Sequence, residues 1–179
     1  ATQSDALDLG SGSNGLAVGK DYAYVLTDTN TQEVRVVRLR DFQIVATWDL
    51  PGNAAPLDVV LDETAKRLYV GRNGANGDEF YVLNTENPEG AITVVAFAPI
   101  VGNVNGIAIR GNFAYLVTEK NNSELLTVNL STMDVVSCNL PGNQDAVRIQ
   151  IVGDRLFIGR RGGPEAEFAE YAIDPSDPG

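Results

Sequence analysis

An all-β fold made of four copies of one four-stranded unit is predicted by three observations: a repeat spanning half the chain, a further division of each half, and apolar alternation in every quarter. Pro51-Gly52-Asn53 returns as Pro141-Gly142-Asn143 after 90 residues, and Asn14-Gly15-Leu16-Ala17-Val18 returns as Asn105-Gly106-Ile107-Ala108-Ile109 after 91. Apolar segments opening at Leu16, Leu57, Ile107 and Val147 then divide the chain at intervals of 41, 50 and 40 residues. A small twisted sheet of that length cannot bury both faces alone, and stacking such sheets around an axis gives the blades of a β-propeller. A β-sandwich is the alternative, and the near-identity at 90 residues favours the propeller.

The elements follow in the same order in every unit. Leu57-Asp58-Val59-Val60-Leu61 and Val147-Arg148-Ile149-Gln150-Ile151 alternate apolar and other residues, the period of a strand. Second strands are expected at 22–27, 67–71, 113–118 and 155–159, and third strands at 33–39, 79–83, 124–128 and 167–173. Gly, Asn, Asp and Pro in the connectors supply turn conformations. Fourth strands end at Leu50, Ile100 and Leu140, each 7 residues before the next first strand. Leu9 also lies 7 residues before Leu16, and Leu7-Asp8-Leu9 resembles Trp48-Asp49-Leu50 and Cys138-Asn139-Leu140. The last unit reaches Gly179 without a fourth strand of its own. The expectation is one domain, 1–179, with blades at 15–50, 51–100, 101–140 and 141–179, the last completed by residues 5–11 so that the N-terminal strand closes the ring. Two further assemblies satisfy the same count. One is a homodimer by N-terminal strand exchange, giving eight blades; the other is a piece of a longer array.

Composition narrows the function. Thirteen basic against 24 acidic residues give a net charge of −11, which repels nucleic acid and anionic membrane surfaces. No apolar run approaches the ~18 residues of a membrane span, so direct membrane insertion is not expected. The chain opens Ala-Thr-Gln-Ser-Asp, without Met or a signal-like core, as a processed or trimmed chain would. With no histidine and Cys138 the only cysteine, Ser-His-Asp and Cys-His catalysis, disulfides within the chain and cysteine metal clusters are excluded. Asp28-Thr29-Asn30 and Asp174-Pro175-Ser176-Asp177 place oxygen ligands together but lack the spacing of a calcium loop. Asp41, Asn84, Asn129 and Asp174 all follow third strands, where an Asx turn accounts for them. Neither a catalytic residue, a cofactor nor a metal is assigned. Trp48, in the slot of Cys138 and Leu7, and the recurring Tyr24, Tyr69, Tyr115 and Phe157 read as core between blades.

Val60-Leu61-Asp62-Glu63-Thr64-Ala65-Lys66-Arg67-Leu68-Tyr69-Val70 resembles the D-x-x-x-K-R-L-Y-V core of YVTN-type propeller repeats. Gly19-Lys20-Asp21-Tyr22-Ala23-Tyr24-Val25 and Gly111-Asn112-Phe113-Ala114-Tyr115-Leu116-Val117 are similar to the LVIVD repeat, as is the tail Tyr171-Ala172-Ile173-Asp174-Pro175-Ser176-Asp177-Pro178. The resemblance implies a bacterial or archaeal surface or secreted protein acting in adhesion or as a scaffold. Larger members of these families carry more blades.

The loops after the second strands carry the functional expectation. Arg72, Asn73, Arg160 and Arg161 in units two and four alternate with Asp28 and Glu119 in units one and three, beside Asn53 and Asn143 of the inter-blade connections. Such a rim suits a protein or a polar small-molecule or carbohydrate ligand, with arginine available for bidentate carboxylate contacts. The reading is a non-enzymatic interaction module at the cell surface or outside the cell. A structural head domain of a pilin-like or cell-wall protein is one alternative; a carbohydrate-active lyase or hydrolase is another.

Overall fold

The computed structural model describes residues 2–74, 78–142, 144–163 and 165–174. Its elements are strands: β1 (Ser13–Val18), β2 (Tyr22–Thr27), β3 (Val34–Arg38) and β4 (Gln43–Trp48); β5 (Pro56–Asp62), β6 (Arg67–Arg72), β7 (Phe80–Asn84) and β8 (Val94–Ala98); β9 (Val104–Arg110), β10 (Phe113–Thr118), β11 (Leu125–Asn129) and β12 (Val135–Cys138); β13 (Ala146–Val152), β14 (Arg155–Arg160) and β15 (Phe168–Ala172). Each group forms its own antiparallel meander in chain order, four strands in blades one to three and three in blade four. No helix is long and apolar enough to cross a membrane among the described residues.

The inner strands pack in sequence, β1 beside β5, β5 beside β9, and β9 beside β13. The core lies between blades, as a blade with two apolar faces requires. Tyr24, Leu26, Trp48 and Leu50 of blade one meet Leu68, Val70, Tyr81 and Leu83 of blade two. Tyr69, Phe80, Val82 and Ile100 meet Ile107, Leu116 and Val128 at the second joint. Tyr115, Val117 and Leu140 meet Ile149, Leu156 and Ile158 at the third. Trp48, expected as core, is 1% exposed, and its indole N–H donates to the Gly90 carbonyl of blade two at 3.0 Å. Tyr24, Tyr69 and Tyr115 are buried as expected, whereas Phe157 is half-buried and Cys138 exposed.

One irregularity recurs in all four blades. The pairing of each inner strand with its neighbour skips one residue: Asn14, Leu57, Asn105 and Val147. A bulge of this kind bends the strand and re-aims the skipped side chain. Asn14 and Asn105 use it to reach the next blade, donating to the carbonyls of Pro56 and Ala146 at 3.0 Å each.

Closure of the ring differs from the expectation. Residues 2–12 form no strand, β15 has a neighbour on one side only among the described residues, and no packing comparable to the other joints links β13 to β1. The N-terminal segment instead follows blade one: the Leu9 carbonyl accepts from Arg35 Nη2 at 3.4 Å and the Gly12 carbonyl from the Asp28 amide at 3.0 Å. The four blades form an open arc.

Candidate functional site on the loop face

The β2–β3 type loops share one end of the arc with the connections between blades, and main-chain bonds tie them together. The Asp28, Asn73 and Arg161 amides donate to the carbonyls of Gly12, Ala55 and Asp145 at 3.0, 2.9 and 2.9 Å. The Gly74 amide donates to Asn103 Oδ1 at 2.8 Å. Gly52 and Gly102 turn these connections with φ of +90° and +110°, a region that glycine enters without a Cβ penalty.

Two adjacent slots in each blade have opposite fates. The last residue of the second strand is Thr27, Arg72, Thr118 or Arg160, and all four are buried. The Thr27 and Thr118 hydroxyls donate to the carbonyls of Gln32 and Ser123 at 3.1 and 2.8 Å, tying down their own loops. Arg72, 2% exposed, donates from Nη1 to the Pro51 carbonyl at 2.6 Å and from Nε to Ala54 at 3.1 Å. Its guanidinium carbon also lies 5.1 Å from the Tyr81 ring centroid, in cation–π range. Arg160 donates to the carbonyls of Pro141 and Ala166. Both arginines expected to meet a ligand thus hold the Pro-Gly connections in place. Planar guanidinium forks suit this work, because one side chain can satisfy carbonyls of two loop segments that would otherwise be orphaned.

The next residue in each blade faces outward. Asp28, Asn73 and Arg161 are exposed and Glu119 is half-buried. Arg161 pairs with Asp145, Nε to Oδ2, at 3.4 Å. Asn53 is exposed on the adjoining connection, and Asn143 lies outside the described residues. At the joint of blades one and two a cleft of about 120 Å³ is lined by Pro51, Gly52, Asn53, Ala54, Arg72, Asp78 and Glu79. The structure therefore brings Arg72 and Asn53 together, and distributes Asp28, Asn73, Glu119 and Arg161 one to a blade.

Buried carboxylates beneath this face were missed in the sequence. Glu33 Oε2 accepts the Leu50 amide at 2.8 Å and Glu124 Oε2 the Leu140 amide at 3.1 Å, each closing the end of an outer strand. Burial pushes the Glu33 carboxyl above the usual range, against the lowering effect of that bond. Asp58 is likewise raised by burial while its Oδ2 accepts the Ile107 amide of blade three at 2.8 Å. The signal for the glutamates was present: Glu33, Glu79, Glu124 and Glu167 all stand at the start of a third strand. Among the described residues no group of three or more His, Cys, Asp or Glu side chains is placed to hold a metal. Asn84 and Asn129 make the expected Asx turns, accepting the amides of Glu86 and Ser131 at 2.9 Å. Asp41 instead chelates Arg38.

No protein-family model and no curated protein matches the chain. Solved structures do. The β-propeller domain of Myceliophteria thermophila Cps50 (Swd1) superposes with a TM-score of 0.71 at 13% identity, over 90% of this chain and 54% of that one. The fold is that of a β-propeller. The computationally designed Ika4 protein gives a TM-score of 0.72 at 11% identity over 92% of both chains. A Bacteroides thetaiotaomicron protein of unknown function gives 0.64 at 15% identity, over 93% of this chain and 42% of that one. The propeller arc thus spans about half the length of the two natural proteins.

Proposed function

We propose that this propeller is a non-enzymatic binding module whose loop face takes a protein or polar ligand. The observation that carries the reading is the division of labour between adjacent slots: Thr27, Arg72, Thr118 and Arg160 fix the loops from below while Asp28, Asn73 and Arg161 stand exposed above them. A face whose backbone is held by buried side chains presents its outer residues with little ordering penalty on association. Asn53 and the half-buried Glu119 extend the same rim. The similarity of several segments to LVIVD and YVTN repeats supports placing the module at the cell surface or outside the cell.

The test uses defined probes. The intact chain is screened on an array of glycans and of acidic and basic peptides, and its best probe is titrated calorimetrically. Asn53→Ala, Asn73→Ala and Arg161→Ala combined should weaken that probe at least tenfold while leaving the unfolding transition in place. Unchanged affinity in the triple variant removes the loop face as the binding surface. Turnover of any glycan on the array would move the protein to the carbohydrate-active alternative.

A further inference from the structure

The two ends of the arc each carry a copy of a surface that is buried elsewhere in the same chain. On blade two, Tyr69 and Phe80 stack at 6.2 Å with 8° between their rings, and blade three covers them so that Phe80 is 0% exposed. On blade four, Phe157 and Phe168 stack at 5.9 Å and 14°, with Phe168 68% exposed. Phe80 pairs with Gly71, and Phe168 with Gly159. At Gly71 a Cβ would stand 2.5 Å from Val104 of blade three; at Gly159 it would meet only Arg148 Cβ of its own sheet, at 3.8 Å. Blade four thus keeps both the aromatic pair and the glycine that a following blade requires, with no blade against them.

The other end is the complementary half. Leu16 and Val18 hold the positions of Ile107 and Ile109, which pack on blade two, and Leu16 is 63% exposed against 4% for Ile107. Leu9 holds the position of Leu50 and Leu140, whose amides are taken by Glu33 and Glu124. Its carbonyl accepts from Arg35 of blade one at 3.4 Å, and one position further along the equivalent segment the Pro51 carbonyl accepts from Tyr81, at the matching place in the third strand of blade two. The N-terminal segment is therefore seated where the outer strand of a preceding blade belongs. The glutamate of blade four, Glu167, is exposed, whereas Glu33 and Glu124 are buried under their outer strands.

We propose that a second copy of this chain supplies the missing neighbour at each end. Blade four of one copy docks on blade one of the other as blade two docks on blade three, and residues 5–11 pair along β15 of the partner copy. Glu167 then receives the Leu9 amide from across the joint, and the aromatic pair is covered by Leu16 and Val18. A heterologous contact of this kind builds a ring when the rotation closes. The arc leaves its own ends apart, and two copies joined end to end in this way bring eight blades into one circle. This assembly is independent of the loop-face reading.

Light scattering behind size exclusion should give twice the 19.1 kDa of the chain, constant over a hundredfold range of concentration. Phe168→Glu and Leu16→Glu each place a charge in both joints and should give particles of a single chain mass. Both residues are exposed in the single copy, so their circular dichroism should be unchanged. Val101→Glu, equally exposed but on neither end face, should stay double. A wild type of single mass, a mass that climbs with concentration, or a double mass that survives both end-face substitutions would each overturn the proposal.

Discussion

Asn14 and Asn105, 91 residues apart in sequence, make the same hydrogen bond at the same distance: each side-chain amide donates at 3.0 Å to the carbonyl of the residue that opens the next inner strand. Both are the skipped residue of a bulge, which frees them from the ladder and turns them toward the neighbouring blade. In blades two and four the skipped residues are Leu57 and Val147, which have no donor to offer. The asparagine latches therefore occur at the first and third joints, while at the second the Asp58 carboxylate accepts the Ile107 amide.

Removing a latch should loosen one joint. Asn105→Ala leaves the Ala146 carbonyl without its side-chain partner, a loss of about 1–2 kcal/mol. For a domain of this size that lowers the melting temperature by roughly 2–8 °C. Asn14→Ala should act similarly at the first joint, and the pair should be close to additive. Differential scanning calorimetry of the two single variants and the double variant checks this.

Arg72 and Arg161 should part company in stability measurements. Arg72→Ala removes two charged hydrogen bonds to buried loop carbonyls and the contact with Tyr81, and should destabilise by about 3 kcal/mol. Arg161→Ala loses one exposed ion pair and should change stability by less than about 1 kcal/mol. Arg72→Lys should recover only part of the loss, since an ammonium has no fork to span Pro51 and Ala54. Urea unfolding of the three variants separates these outcomes.

Gly71→Ala should be costly although alanine suits a strand better than glycine. Its Cβ would meet Val104 Cγ1 at 2.5 Å and the Val104 carbonyl oxygen at 3.0 Å, so the second joint must open. Overpacking of this kind costs about 1–3 kcal/mol. Combining it with Val104→Ala removes the nearer obstacle and should restore part of the stability, an interaction that a double-mutant cycle measures.

Mild acidification should stabilise the fold before stronger acid destabilises it. Glu33 and Asp58 are raised by burial, so between their unfolded and folded values the native state binds more protons than the unfolded chain. Stability then falls as pH rises through that window and is regained on lowering the pH from neutral into the mildly acidic range. Relief of repulsion in a chain of net charge −11 acts in the same direction. Asp41 and Glu89 are lowered by their hydrogen bonds to Arg38 and, for Glu89, to Tyr22. Their contribution is present above the unfolded carboxylate range and is lost as pH falls through their depressed values. Glu33→Gln keeps an oxygen for the Leu50 amide and should flatten the rise on mild acidification. A melting temperature profile of this variant that parallels the wild type would place the effect elsewhere.

Much of the architecture was legible in the chain because the repeat was. The second strands at 22–27 and 113–118 have the expected bounds, and the other two extend one residue further, to Arg72 and Arg160. That single residue places two of the expected site arginines inside the strand ladder and not on the rim. A glycine-flanked arginine reads as loop, but Arg72 is still in register, opposite Pro56, and its side chain points inward. Alignment of Arg72 with Thr27, Thr118 and Arg160 carried the signal, since a strand-terminal threonine in two blades marks an inward slot. The third strands begin one residue later than expected, at Val34 and Leu125 in blades one and three, because Glu33 and Glu124 cap the outer strands from just outside the ladder. Ring closure was not decided by the repeat: a spare strand at one end and an unfilled place at the other count the same in one closed molecule, in two exchanging strands, or in a piece of a longer array.

Because the apolar core is split among three joints and not pooled at a centre, resistance to unfolding is a property of neighbours. Blades two and three are each gripped on both sides, and blades one and four on one, as in a short stack of repeats. Hydrogen exchange in a single copy should therefore be slowest in β6 and β10 and fastest in β14 and β15, with blade four fraying in excursions that leave the middle pair intact. The terminal blade is the one whose loops carry Arg161, so the same fraying would set how often that part of the rim is assembled.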